Sequence, residues 1–484
     1  MIRFTKLSLN WLLIGGLLLG SDGCSRSERE LKTPVEAPGS FSMTGTEPAL
    51  EQWWRAFGDE NLDALVDKAL TDNFDLQTAW DRLAQAQAIA QKADAPLWPQ
   101  ADLSAGAKRS RQETGGSSSY GSLYSVGLAA RYEVDLWSRL SSASRGAWLD
   151  VQARQEGVNT AAITLSASIA NTWYQLAEAK GLVRITLTQI QTNEDVLKIV
   201  IIRWRKGAAQ AADFYRQRQL VASTEAQLIA AKETVELLQY QLSVLIGNRP
   251  ELAWQQVSIE LPQLPLMPEV GVSADVLLRR PDVRQSHRQV QAADQRLAAA
   301  IADQYPRISI SASAETTSTA SVRDLFDDWL ANLAANALEP LFDANLRKAE
   351  VRRQKAIVSE QLHAWGQTIV DALEDVEGAL TRQRQQTELL ENLKHQLDLA
   401  RRTYERNRES YIKGQVDYIR VLESLESMQS LERNVLRAQR TVIQNRIDLH
   451  RAIAGSWDMK QPAMVQTHDL TGPAPNPGNI TENE

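Results

Sequence analysis

From Leu346 to Leu449 the chain carries about a hundred residues without a proline and reverses once, at Lys413-Gly414. Before the turn Leu390, Leu393, Leu397, Ala400, Tyr404 and Tyr411 fall at spacings of three and four, broken only by Asn407. After it Val421, Met428, Val435, Val442 and Leu449 recur every seventh residue. Two apolar seams joined by a Lys-Gly turn predict a helical hairpin of coiled-coil type. The first arm, taken as one helix from Asn345 to Lys413, is about 100 Å long at 1.5 Å per residue. A compact domain has little use for such a helix, whereas a structure that spans a compartment has.

The hairpin is written twice. Subtracting 207 turns Lys413-Gly414 into Lys206-Gly207, and the sevens into Phe214, Val221, Leu228, Val235 and Leu242. The first-arm positions become Val183, Thr186, Ile190, Asn193, Leu197 and Trp204, a weaker seam. Asp282, Val290, Ala293 and Pro306 map onto Asp75, Leu83, Ala86 and Pro99. One offset over most of the chain implies an internal duplication. The expected divisions are an export signal over 1–23, a lipid-anchored polar linker over 24–48 that runs extended, a first repeat over 49–250, a Pro-rich link over 251–273, a second repeat over 274–455 and a loose tail over 456–484.

The N-terminus supports export. Arg3 and Lys6 precede an apolar run, Trp11 to Leu19, too short to span a bilayer as a mature helix. Cys24, the only cysteine, follows Gly23 and resembles the lipidated cysteine of a bacterial lipoprotein signal. Ser21 and Asp22 depart from that signal, and an ordinary signal peptide with an unmodified cysteine is the alternative. Ser25 is compatible with outer-membrane sorting.

Between the helical stretches the period changes to two. Ala101, Leu103 and Ala105, then Val126 to Leu136, alternate with polar neighbours over the length of a tilted membrane β-strand. The polar tract Arg109 to Ser122 reads as a solvated loop between them. Trp98 and Trp137 flank the two strands as interface aromatics, with Tyr305 in the place of Trp98 in the second repeat. A soluble hairpin packed on helices is the competing reading. In the second repeat Ile308, Ile310 and Ala312 continue the pattern, Glu315 to Asp327 reads as the second loop, and the fourth strand is expected between Trp329 and Phe342. Its alternation is poor: Leu330 and Leu338 oppose Leu333, and Glu339 falls on the apolar side.

Four strands cannot close a barrel, and an open edge in lipid leaves backbone groups unsatisfied at several kcal/mol each. Membrane strands therefore require several chains to share one barrel; three would supply twelve strands and six hairpins. The fold expected is mainly α with a membrane β-barrel: helical hairpins forming an α-barrel and four strands per chain contributing to a shared barrel. A net charge of −7 gives no reason for a nucleic-acid partner. A single cysteine excludes an intrachain disulfide and a cysteine metal cluster, and the five histidines lack ligand spacing. There is no phosphate loop and no nucleophile with a base, so neither an enzyme nor a cofactor is expected.

Five stretches carry a family resemblance: Trp53-Trp54-Arg55-Ala56-Phe57-Gly58-Asp59, the Asn73-to-Pro99 helix, Leu277-Leu278-Arg279-Arg280-Pro281-Asp282-Val283, Pro340-Leu341-Phe342-Asp343 and the Lys413-Gly414 turn. Over residues 48–456 the chain resembles the TolC-type outer-membrane efflux channels, in particular the lipoprotein branch that includes OprM and NodT. It departs from them at Asp343-Ala344-Asn345, where Asp-Gly-Gly is common. The resemblance implies a homotrimer in the outer membrane, anchored by lipid at its N-terminus, with a twelve-stranded barrel and a periplasmic helical tunnel. It implies a periplasmic adaptor and an inner-membrane pump, often of the proton-driven RND class, as partners. It also implies a gate at the periplasmic tip, just after the second turn, where Asp417, Arg420 and Glu423 lie three apart on roughly one helix face. Their repeat equivalents are Gln210, Asp213 and Arg216, with the charge reversed at Asp213 against Arg420 and at Arg216 against Glu423. These pairs are expected to meet between neighbouring hairpins; an ordinary solvated helix face is the alternative. The exposed turn residues Lys206, Gly207, Lys413 and Gly414 are expected to meet the adaptor. A periplasmic adaptor, or a structural coiled coil without a pore, remains the alternative function.

Overall fold

The computed structural model describes residues 34–35, 38–46, 52–254, 260–270, 278–319, 321–453 and 459. The export signal, Cys24 and most of the C-terminal tail lie outside the described residues. The elements run in the order α1 (Glu60–Asp72), α2 (Phe74–Asp94), β1 (Gln100–Thr114), β2 (Ser117–Val134), α3 (Arg139–Arg205), α4 (Ala211–Leu245), α5 (Pro281–Ala302), β3 (Arg307–Ser318), β4 (Leu330–Leu338), α6 (Leu346–Ile412) and α7 (Tyr418–Ile453). Among the described residues no helix is long and apolar enough to cross a membrane.

The duplication is physical. Shifting both ends of α3 by 207 lands on both ends of α6, Leu346 and Ile412. The start of α4 lands on the start of α7, and the starts of α2 and β1 on those of α5 and β3. Each 67-residue helix is about 100 Å long by its rise.

Contacts divide the chain into two units, and the boundaries at 82–83, 154–155, 284–285 and 368–369 fall inside helices. One, built from 1–36, 83–154 and 285–368, holds the strands. They form an antiparallel meander in the order β1-β2-β3-β4, so β1 and β4 are edge strands. The register aligns the repeats' patterns: Ala101, Ala130, Ala312 and Leu333 lie side by side, as do Leu103, Leu128, Ala314 and Ala331. One face therefore carries the apolar alternation of all four strands, and the other carries Ser104, Ser125, Arg131, Ser309, Ser311 and Asn332. Leu330 and Leu338 fall on the polar face, and β4 stops at Leu338, before Glu339 would enter the apolar side. That is why its alternation looks poor.

The solvated loop expected over Arg109 to Ser122 is a correction: β1 continues to Thr114 and β2 starts at Ser117. Only Gly115 and Gly116 turn, at φ 63° and 85°. Positive φ at both central residues is the geometry of a two-residue hairpin turn and suits glycine. Polarity misled because both strand faces are solvent-compatible there. In the second repeat β3 likewise runs on to Ser318, and a 3-10 turn, Val322–Phe326, occupies most of what remains of the expected loop.

The described residues of the second unit, drawn from 37–82, 155–284 and 369–484, are mainly helical. Its core contains the expected seam of the second hairpin: Tyr404, Tyr411, Val421 and Met428 pack with Val196 and Val200 of α3, and Leu390 with Val442. The seam expected for α3 is corrected. Trp204 is exposed and Ile190 and Leu197 only partly covered, whereas Thr186, Gln189, Asn193, Val196 and Val200 are buried. Thr186 and Asn193 belong to the expected seam; Gln189, Val196 and Val200 replace its other members, and with three polar residues among the five the buried stripe shows only in part as an apolar pattern.

Two of the family-like stretches act as joints in this unit. Trp53, Trp54 and Phe57 are buried, Gly58 turns at φ 64°, and Asp59 caps α1 by accepting from the backbone N–H groups of Asn61 and Leu62. Its other oxygen accepts from Trp173 Nε1 at 2.7 Å. Pro281 occupies the first position of α5, where a missing N–H costs nothing. Arg280, just before it, is buried and pairs with Asp282 at 2.7 Å and Asp375 at 3.0 Å while donating to the Ala452 carbonyl. The polar linker also makes contacts: Phe41 is buried against Val376, Leu380 and Leu449, and Ser42 donates its N–H to Glu377.

Candidate functional site

Both hairpins turn by one mechanism. Gly207 donates to the Trp204 carbonyl at 2.9 Å and Ala208 to Arg203 at 2.8 Å; Gly414 donates to Tyr411 at 2.9 Å and Gln415 to Ser410 at 2.9 Å. This paired arrangement with a left-handed residue, φ 70° at Gly207 and 77° at Gly414, is a Schellman C-cap. The glycines are explained by that geometry. Lys206 and Lys413 are exposed beside them, and neither enters an ion pair among the described residues.

Equivalent turns are not equally dressed. Arg203, at the end of α3, lays its guanidinium 4.4 Å from the centroid of the Tyr411 ring. It donates to the Tyr411 carbonyl at the end of α6 and to the Ala208 carbonyl of its own turn. A cation there meets carbonyls of the last helical turn and the negative end of the helix dipole. The second repeat has Ser410 in this place, so the tie is made once per chain. Sequence reading missed Arg203, whose only signal was an arginine breaking the repeat.

The structure brings Asp213 and Arg216 of α4 close to Tyr418 of α7. Burial raises the Tyr418 phenol above its ordinary value, the Asp213 and Glu426 carboxylates add to this, and Arg216 opposes it. Tyr411 is raised by burial as well, against the nearby Arg203 charge. Both phenols thus stay protonated across physiological pH. Asp213 also accepts from the Gln210 N–H, completing a capping box on α4. Asp417 precedes the first residue of α7, so only Arg420 and Glu423 lie on the helix itself, a correction to the single face expected. Asp417, Arg420 and Glu423 are exposed, and none of the five charged residues forms an ion pair within one chain among the described residues.

A buried polar chain leads away from this tip. Tyr418 Oη donates to Gln217 Oε1 at 2.7 Å, and Gln217 Nε2 to the Asn193 carbonyl at 2.8 Å. Gln429 Nε2 donates to Asn193 Oδ1 at 2.7 Å, Asn193 Nδ2 to Thr224 at 2.9 Å, and Gln189 Nε2 to the Gln429 carbonyl at 3.0 Å. Gln217, Asn193, Gln189, Thr224 and Gln429 are all buried. The chain joins α3, α4 and α7, and its spacing (Gln189 and Asn193, Gln217 and Thr224) was legible as a seam once polar residues are admitted to it.

In the strand unit the three expected interface aromatics are exposed. Trp137 and Tyr305 stack with centroids 5.0 Å apart, and Trp137 Nε1 donates to the Pro306 carbonyl at 2.9 Å. Trp98 stands 71% exposed. No group of three or more His, Cys, Asp or Glu residues that could hold a metal occurs among the described residues.

Comparison with known proteins supplies the context. The family model described as outer membrane efflux protein matches twice, over residues 65–248 and 272–455, one match per repeat. The pyoverdine export outer membrane protein OpmQ of Pseudomonas aeruginosa is 29% identical over 94% of this chain and 98% of its own. The probable outer membrane lipoprotein SilC of Salmonella typhimurium is 25% identical over 94% of this chain and all of its own. Among solved structures the outer-membrane channel OprN superposes with a TM-score of 0.83 at 22% identity, covering 88% of this chain and 98% of that one. The fold is that of the TolC-type channels, mainly helical with four antiparallel strands and a two-fold internal repeat, and the chain belongs to the outer membrane efflux protein family.

Proposed function

We propose that three copies of this chain form a passive duct in the outer membrane, closed at its hairpin turns. The observation that carries this reading is the meander with two unpaired edges and one apolar face continuous across all four strands. In lipid such edges demand partners, and β4 of one chain beside β1 of the next closes the ring. From Tyr124 to Val134 the outward strand rises about 3.3 Å per residue, which at a tilt of about 45° spans the ~25 Å apolar band of an outer membrane. Trp98, Trp137 and Tyr305 then mark its periplasmic border.

The duct needs no catalytic residues or cofactor of its own. Energy comes from an inner-membrane pump of the RND class, joined by a periplasmic adaptor that meets the turns at Lys206, Gly207, Lys413 and Gly414. The repeats are assigned to 49–250 and 274–455, on either side of the link; the two family-model matches, over 65–248 and 272–455, support this division. Cys24 carries the lipid anchor; the likeness to SilC, named a lipoprotein, supports this. Asp213 and Arg216 face Arg420 and Glu423 of neighbouring chains; that none of the four is paired within its own chain among the described residues supports this. Each exposed pair contributes only about 0–1 kcal/mol, and three-fold repetition makes a gate that a partner can open.

Mass in detergent together with single-channel conductance in bilayers tests the reading. A trimer with a small conductance that rises in Asp213→Ala and Arg420→Ala is expected. A monomer without conductance overturns the duct, and a trimer whose conductance neither substitution changes overturns the gate.

A further inference from the structure

The β1–β2 hairpin ends in a feature that the duct does not use. Its strand register sets Arg111 opposite Tyr120 and Arg109 opposite Ser122, so both arginines share a face with Tyr120. That face is the apolar one, carrying Leu103, Ala105 and Ala107 one turn of alternation at a time up to Arg109. The Arg109 guanidinium lies 5.8 Å and that of Arg111 5.7 Å from the centroid of the same Tyr120 ring, which puts the two charges within about 11.5 Å of each other. Arg111 also donates through Nε and Nη2 to Ser118 Oγ, at 3.3 and 2.9 Å, and approaches Glu113 at 3.6 Å. Arg109 enters no hydrogen bond or ion pair among the described residues. Two guanidinium groups are thus gathered on one aromatic ring, with one loosely held carboxylate beside Arg111.

We propose that Arg109 and Arg111, oriented by Tyr120, bind the phosphate groups of a phosphorylated lipid in the outer leaflet. The site rests on the membrane reading above. An arginine does not settle in hydrocarbon, so the apolar layer ends between Ala107 and Arg109, at the depth where headgroup phosphates lie. The planar, weakly hydrated guanidinium matches phosphate oxygens two at a time, and the aromatic face holds it without consuming its donors. Glu113 is the internal competitor. Its pair with Arg111 is more than half exposed on both sides and weak enough for a phosphate to displace. The outward face selects a lipid over free phosphate, because only a lipid presents the anion from the side of the apolar band.

Native mass spectrometry of the detergent-purified full chain tests this, titrating bisphosphorylated lipid A, its dephosphorylated form and inorganic phosphate. The bisphosphorylated lipid is expected to bind, and Arg109→Gln with Arg111→Gln to weaken it by about tenfold or more. Trimer mass and conductance are expected to stay unchanged in that variant. Glu113→Gln is expected to strengthen binding, and millimolar inorganic phosphate to leave it in place. Equal binding of the dephosphorylated lipid, or unchanged affinity in the double variant, overturns the site while leaving the duct standing. A monomer without conductance overturns the membrane reading and the site with it.

Discussion

The Arg203 guanidinium stacks on Tyr411, 4.4 Å from the ring centroid, and at the same time donates to that residue's carbonyl. One side chain of the first hairpin therefore caps the last turn of α6 in the second. Arg203→Ala removes the stacking, the cap and the cation at the dipole end, a loss of about 1–2 kcal/mol per chain. Arg203→Lys keeps the charge and loses the planar stack, so it falls between. Conductance in bilayers is expected to rise in the order wild type, Arg203→Lys, Arg203→Ala. Identical traces for all three would remove Arg203 from the closed state.

His450 makes stability depend on pH. It is buried, stacked on Trp53 with centroids 5.7 Å apart, and burial together with the Arg446 charge pushes it down to about 3. A folded-state value below the unfolded one, ~6.5, means that protons bind the unfolded chain more readily. The stabilisation from the neutral ring is complete above about pH 6.5 and is lost as pH falls towards 3, with a loss of about 2 kcal/mol per chain by pH 5. His450→Phe keeps a ring against Trp53 and has nothing to titrate. Thermal midpoints in detergent at pH 7.5 and 5 are expected to converge in the variant relative to wild type; an equal drop in both would exclude His450 as the source.

Much of this fold is legible in the chain because repetition can be checked against itself. The offset of 207 found among Lys-Gly turns and apolar sevens reproduces the bounds of α3 and α6. The apolar sevens work because Val421, Met428 and Val442 are both apolar and buried. What escapes are positions where burial and polarity part company. Gln189 and Gln217 are buried, yet a hydrophobicity pattern passes over them and takes in Ile190 and Leu197. Arg109 and Arg111 belong to a strand, yet their charge reads as a loop. Arg203 acts through a ring 208 positions away, a relation that no local spacing encodes. The charge reversal of Asp213 against Arg420 and of Arg216 against Glu423 is legible between repeats, and among the described residues none of the four pairs within the chain.

The same polar seam yields a stability prediction. Gln429 donates to Asn193 Oδ1 at 2.7 Å with both side chains buried. Gln429→Leu leaves that oxygen without this donor, at a cost of about 1–3 kcal/mol. Asn193→Leu with Gln429→Leu removes both ends and should cost less than the two single changes together. A double-mutant cycle on unfolding in detergent measures the coupling. Because buried polar contacts fix helix register, the double variant is also expected to show a broader spread of conductance levels than wild type. Strict additivity in the cycle would mean that the two residues do not act as a pair.

Ala344 and Asn345 hold the entry to α6 with φ at 51° and 67°, and Ser138, the equivalent of Asn345, enters α3 at 59°. Left-handed backbone costs an L-residue about 1–2 kcal/mol, and an asparagine side chain tolerates it better than an alanine. Glycine would meet this backbone requirement without strain, whereas Ala344 and Asn345 meet it at a cost. Ala344→Gly relieves the strain and gives part of the gain back as unfolded-chain freedom. The net expected is a stabilisation of about 1 kcal/mol per chain, against a few tenths for Asn345→Gly. Asp343 remains able to accept from the Arg347 N–H in both variants, so the first turn of α6 keeps its cap. Thermal midpoints of the detergent-purified variants decide the matter: a rise for Ala344→Gly larger than for Asn345→Gly follows from the backbone geometry. A fall for Ala344→Gly would mean that the methyl group contributes packing worth more than the strain it imposes.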